Sequence, residues 1–145
     1  MLTLDAILEQ VASYRPRYIC VTGGEPLAQP NCIPLLEKLC DAGYEVSLET
    51  SGALDVSAVD PRVSKVVDLK TPGSAEMGRN RYENIVHLQP HDQVKFVICS
   101  REDYDWSVSK VIQYGLPERV SEVLFSPSHG PVSYTHLRAH ETSLH

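Results

Sequence analysis

Long apolar runs are missing from this sequence. No stretch approaches the length of a membrane span, and the amino terminus Met1-Leu-Thr-Leu-Asp5 has neither the basic nor the apolar region of a signal peptide. Both absences point to a cytoplasmic protein with no membrane partner. Basic residues are also scarce, 13 Lys and Arg against 19 Asp and Glu, for a formal charge of −6. A phosphate backbone is gripped mainly by clustered cations, so no nucleic-acid surface is expected and small molecules are the favoured ligands. Cysteines are few and scattered. Cys20, Cys32, Cys40 and Cys99 show neither the close pairing of a zinc site nor the density of a disulfide scaffold, so no metal is expected on them. Cys20, Cys40 and Cys99 read as buried thiols, while Cys32 is ambiguous.

What is present is enough for one moderate core: 145 residues, 42% of them apolar. Leu4, Ile7, Leu8 and Val11 recur at helical spacing behind a possible Thr3 cap, which predicts an amphipathic helix over residues 3–13 that stops before Pro16. Tyr18 to Val21 then predict a buried strand, halted by Thr22-Gly-Gly-Glu-Pro26. Glycines at a strand end let the main chain turn sharply and let a ligand approach. A second helix follows after Asn31, ended by Gly43, and the strand Glu45-Val-Ser-Leu-Glu-Thr-Ser-Gly52 breaks at another polar, glycine-containing end. The pattern recurs in Lys65-Val-Val-Asp-Leu-Lys-Thr-Pro-Gly73, in Gln93-Val-Lys-Phe-Val-Ile-Cys99, and in Glu122-Val-Leu-Phe-Ser-Pro-Ser-His-Gly130. A helix is predicted over about 104–114, ended by Gly115.

Strands alternating with helices imply right-handed crossovers and a parallel sheet. In such sheets ligands sit beyond the carboxyl ends of the strands, where every unusual cluster of this chain falls. Residues 74–91 show no firm period and read as a loop with one helical turn, in which Arg79 and Arg81 are solvated or meet an anion. The last fifteen residues, 131–145, hold His136, His140 and His145 without any apolar period. That string resembles translated sequencing-adapter read-through, so residues 1–130 are expected to be the native part and 131–145 a non-native tail.

With the strand ends laid out, the chain resembles the radical S-adenosylmethionine enzymes, and among them the 7-carboxy-7-deazaguanine synthase family of the queuosine pathway. Thr22-Gly-Gly-Glu-Pro26, Leu48-Glu-Thr-Ser-Gly52, Val67-Asp-Leu-Lys-Thr-Pro-Gly73 and Leu124-Phe-Ser-Pro-Ser-His-Gly130 carry the resemblance, over roughly residues 1–130. It implies an α/β fold, part of a (β/α)6-type barrel. It also implies S-adenosylmethionine, a [4Fe-4S] cluster and Mg²⁺ as cofactors, a pterin substrate, an electron donor such as flavodoxin, and a homodimer. In the family, a radical derived from S-adenosylmethionine removes hydrogen from 6-carboxy-5,6,7,8-tetrahydropterin, whose ring contracts with loss of ammonia.

The family's three-cysteine cluster loop has no counterpart here, so the chain is expected to be the middle of an enzyme, lacking the first strand and the carboxyl-terminal substrate residues. Gly23, Gly24 and Glu25 match the motif that receives the cofactor's amino group. Asp68, Leu69 and Lys70 match the stretch that meets its ribose and carboxylate, although Asp68 stands where the family has serine. Ser126, Pro127, Ser128 and His129 match the loop at the adenosine end, with a surface turn as the competing view of His129. Thr22 matches a substrate-contacting position, or else caps the next turn. Glu49, in a strand of mostly apolar or small residues, is the candidate catalytic carboxylate, an acceptor for pterin N–H groups, against the plainer view that it faces solvent. Two other readings stay open: an activating enzyme of glycyl-radical proteins, and a non-catalytic α/β module holding a phosphate. Glu25 would repel an anion and Pro26 removes a donor, which weighs against the second.

Overall fold

Alternation of apolar and polar residues along four of the strands organises this molecule into one covered and one open sheet face. The computed structural model describes residues 3–128 and the strand Ser143–Leu144. Helix α1 (Leu4–Tyr14) is capped by Thr3, whose hydroxyl accepts from Ala6 N at 3.1 Å, and it ends where Arg15 turns left-handed. Strand β1 (Tyr18–Val21) runs into a 3₁₀ turn, Pro26–Ala28, then α2 (Cys32–Asp41), β2 (Glu45–Thr50), β3 (Ser64–Leu69) and β4 (Gln93–Ile98). Helices α3 (Arg101–Tyr114) and α4 (Leu116–Arg119) lead to β5 (Glu122–Pro127). The first five strands pair in sequence order and in parallel, as expected, and β6 (Ser143–Leu144) pairs antiparallel with β5. The expectation of a non-native tail otherwise falls outside the described residues.

The covered face carries two clusters. Cys32, Leu36, Leu39 and Cys40 of α2 pack on Val46 and Leu48, while Val67, Leu69, Val94, Phe96, Val123 and Phe125 meet Val111 and Leu116. Each fully buried Leu or Phe here contributes roughly 1.5–3 kcal/mol through removal of apolar surface from water. Phe96 stacks edge-on against Phe125 at 5.6 Å and Trp106 at 6.2 Å. Lys65, 2% exposed, lies on this same face because Asp92, fully buried, receives its ammonium at 3.0 Å and its N–H at 2.8 Å. The carbonyl of Asp92 also accepts from Ser121 N, so one buried pair ties the lead-ins of β3, β4 and β5 together.

Several expectations need correction. Strand β1 is not buried: it forms the sheet edge among the described residues, with Tyr18 68% exposed. For the same reason Cys20 is exposed rather than buried, and Cys99 is half-buried rather than buried; Cys40 is buried as expected, and Cys32, which the sequence left open, is buried too. Helix α3 starts at Arg101 rather than at 104, because the hydroxyl of Ser100 accepts from Asp103 N and caps it there. Residues 74–91 contain the 3₁₀ turns Met77–Arg79 and Tyr82–His87, after another at Pro72–Ser74. Arg81 of this segment reaches Asp55 at 4.0 Å. Helix α4 was hidden by Gly115 and Pro117, which look like a stop but serve as the preceding cap and an early helical position.

Candidate functional site at the carboxyl ends of the strands

The open face is set by the same alternation: Cys20 and Thr22, Ser47 and Glu49, Val66, Asp68 and Lys70, and Lys95 occupy the positions opposite the core. At the carboxyl ends Thr22, Gly24, Glu49, Thr50, Ser51, Val66, Asp68, Lys70 and Lys95 line a cavity of about 210 Å³. Thr22 is exposed at its rim, and the next turn is capped not by Thr22 but by Glu25. Gly23 and Gly24 have φ of 93° and 53°, a left-handed path that other residues resist. A side chain added at either would meet nothing within 4 Å, so their main chain stands open to an incoming ligand.

Glu25 turns inward. Its carboxylate accepts from Leu27 N (3.0 Å), the Thr50 hydroxyl (2.8 Å), Ser51 N (2.8 Å) and the Ser51 hydroxyl (2.8 Å). Burial raises its pKa, but these hydrogen bonds, led by those from Ser51, outweigh burial and leave it below the ordinary value of 4.5. Glu25 therefore straps the β1 loop onto the end of β2.

Glu49 is exposed on the open face, and the Cys20 thiol donates to its Oε2 at 3.6 Å. Lys70 Nζ donates to Asp68 Oδ2 at 3.0 Å, whereas Asp68 Oδ1 is buried without a hydrogen-bond partner. An orphaned carboxylate oxygen beside a cavity is costly unless a ligand supplies a donor. The side chain of Leu69 is buried in the core, which leaves only its main chain at the loop. Asn80, which the sequence reading passed over, fixes that loop: its amide accepts from Lys70 N at 2.8 Å and donates to Lys70 O at 2.9 Å. Ser126 and Pro127 end β5 beside Val97 and Ile98, Ser128 N donates to Ile98 O at 2.9 Å, and His129 lies outside the described residues.

The donor set fits one of the implied cofactors. The exposed glycine main chain suits an ammonium, Lys70 a carboxylate, and the unpartnered Asp68 Oδ1 a ribose hydroxyl, which are the groups of S-adenosylmethionine. An iron–sulfur cluster does not fit: among the described residues no group of three His, Cys, Asp or Glu side chains is placed to hold a metal.

Parallel strands in sequence order, with polar loops gathered at their carboxyl ends, define an α/β protein whose ligand site lies at one end of its sheet. The crystal structure of QueE from Escherichia coli has this fold: it superposes with a TM-score of 0.61 at 18% identity, over 96% of this chain and 61% of that one. The chain is a relative of the 7-carboxy-7-deazaguanine synthases. It is 43% identical to that of Koribacter versatilis over 126 residues, 86% of this chain and 56% of the relative. To the Chlorobaculum tepidum enzyme of the same name it is 36% identical over 132 residues, 89% of this chain and 60% of that one. The chain thus spans less than two thirds of the relatives it matches. No protein-family model matches it.

Proposed function

We infer that this chain is the central part of a radical S-adenosylmethionine lyase that converts 6-carboxy-5,6,7,8-tetrahydropterin to 7-carboxy-7-deazaguanine with loss of ammonia. The observation that carries the reading is the open-face cavity, lined together by Gly24, Glu49 and Asp68, whose Oδ1 has no hydrogen-bond partner. Gly23 and Gly24 accept from the cofactor's ammonium, and Glu25 holds their loop in place through Thr50 and Ser51. Asp68 and Lys70, with the main chain of Leu69, take its ribose and carboxylate, and Ser126 to His129 its adenosine end. Thr22 borders the pterin. Glu49 accepts from pterin N–H groups and fixes the ring's orientation, so the atom to be activated faces the cofactor. S-adenosylmethionine, once bound, would supply the hydrogen-abstracting chemistry; the protein's own share is positioning and exclusion of water. The cluster, Mg²⁺, an electron donor such as flavodoxin and a homodimeric, cytoplasmic setting belong to the whole enzyme. No described helix is long and apolar enough to cross a membrane.

Titration of the chain with S-adenosylmethionine by calorimetry and with the fluorescent 6-carboxypterin tests this. Both are expected to bind. Glu49→Gln is expected to weaken the pterin about tenfold, the scale of one charge-assisted hydrogen bond, and to leave the cofactor unchanged. A wild-type chain that binds no pterin sinks the substrate assignment, and a Gln variant equal to wild type sinks the role of Glu49.

A further inference from the structure

Two lysines line the carboxyl-end cavity, and only one of them is engaged. Lys70 Nζ is held by Asp68 Oδ2 at 3.0 Å. Lys95, half-buried on β4 and in direct register with Asp68 on β3, makes no ion pair or hydrogen bond among the described residues. A half-buried ammonium loses hydration, and a sheet face rarely keeps one there without an anion. Glu49 is not that anion. It pairs in register with Val66, two residues below Asp68 and one strand further from Lys95. Strand spacing and rise place the two Cα atoms roughly 10 Å apart across the sheet and about 7 Å along it.

The cavity therefore presents an acceptor at one end and an uncommitted cation at the other, with no contact between them. We propose that Lys95 is the carboxylate-binding residue of this cavity and selects a heteroaromatic ligand that carries a carboxylate at the end remote from its N–H donors. This rests on the pterin reading only for the source of the carboxylate, since the methionine end of the cofactor offers the same group.

The test uses three ligands on the wild-type chain, Lys95→Met and Lys95→Arg: 6-carboxypterin, its uncharged analogue 6-hydroxymethylpterin, and S-adenosylhomocysteine. Wild type is expected to prefer the carboxylated pterin, Lys95→Met to weaken that ligand at least tenfold and erase the preference, and Lys95→Arg to keep it. If Lys95→Met instead weakens only S-adenosylhomocysteine, Lys95 still grips a carboxylate, but the cofactor's. That result, with no pterin bound by the wild type, ends the pterin reading and leaves Lys95 its role. Equal binding by wild type and Lys95→Met overturns the role and spares the pterin reading, as does a parallel loss for charged and uncharged pterins. A wild-type chain that binds none of the three overturns both.

Discussion

Glu25 is worth most to the fold through the donors it satisfies. With two backbone N–H groups and two hydroxyls converging on one carboxylate, its removal leaves polar groups without partners in a half-buried setting, at a cost of about 1–3 kcal/mol. Its pKa is lowered in the folded state, so its contribution is fully present above the ordinary value of 4.5 and is lost as pH falls through the lower folded value. Glu25→Gln is therefore expected to lower the urea midpoint at pH 7 and to converge with wild type in acid, where both side chains are uncharged. An equal gap at both pH values would contradict this account. The Gly-Gly-Glu-Pro stretch was legible as a ligand-facing loop. The partners of its carboxylate were not, because Thr50 and Ser51 come from the end of another strand, brought close only by the parallel pairing of β1 with β2.

Among the elements, the segment without periodicity does the most to shape the site. Asn84, 3% exposed, accepts from Val56 N at 3.0 Å and donates to Leu54 O at 2.8 Å. It thereby stitches the loop after β2 to the turn Tyr82–His87, while Asn80 does the same for the end of β3. Asn84→Ala strands buried backbone groups and is expected to cost about 2–4 kcal/mol, read as a lower denaturation midpoint with unchanged slope. A loss under half a kilocalorie would show that water replaces the amide. Here lies the physical limit of reading the chain alone. Strands were legible because burial on one face imposes a period of two, and α1 through its cap and helical spacing. Side-chain-to-backbone stitching has no period, so Asn80 and Asn84 looked like ordinary loop residues. The edge position of β1 was hidden in the same way: four apolar-leaning residues look alike at an edge and in the middle of a sheet, and Cys20 was placed on the wrong side of that distinction.

At the scale of the whole molecule, the crossover from β2 to β3 is closed by a charge cluster that joins two layers. Arg62 donates to both oxygens of Asp60, through Nε at 3.0 Å and NH2 at 2.7 Å, and reaches Asp41 at the end of α2 at 2.8 Å. The pair with Asp41 is half exposed and contributes little, on the order of 0–1 kcal/mol. Asp60 is different, because its side chain is only 11% exposed and the Arg62 guanidinium and N–H bring its pKa from 3.8 to about 2. A carboxylate depressed in the folded state stabilises fully above its unfolded value and loses that contribution as pH falls toward the folded one. The thermal midpoint of the wild-type chain is thus expected to fall as pH is lowered from about 4 to about 2, the window where Asp60 takes up its proton, with Glu25 adding to the acid loss. Asp60→Asn is expected to melt lower than wild type at pH 5, to vary less across that window, and to converge with it at the acid end. Melting curves at constant ionic strength measure this directly, and a gap that stays constant from pH 5 to pH 2 would place the acid sensitivity elsewhere.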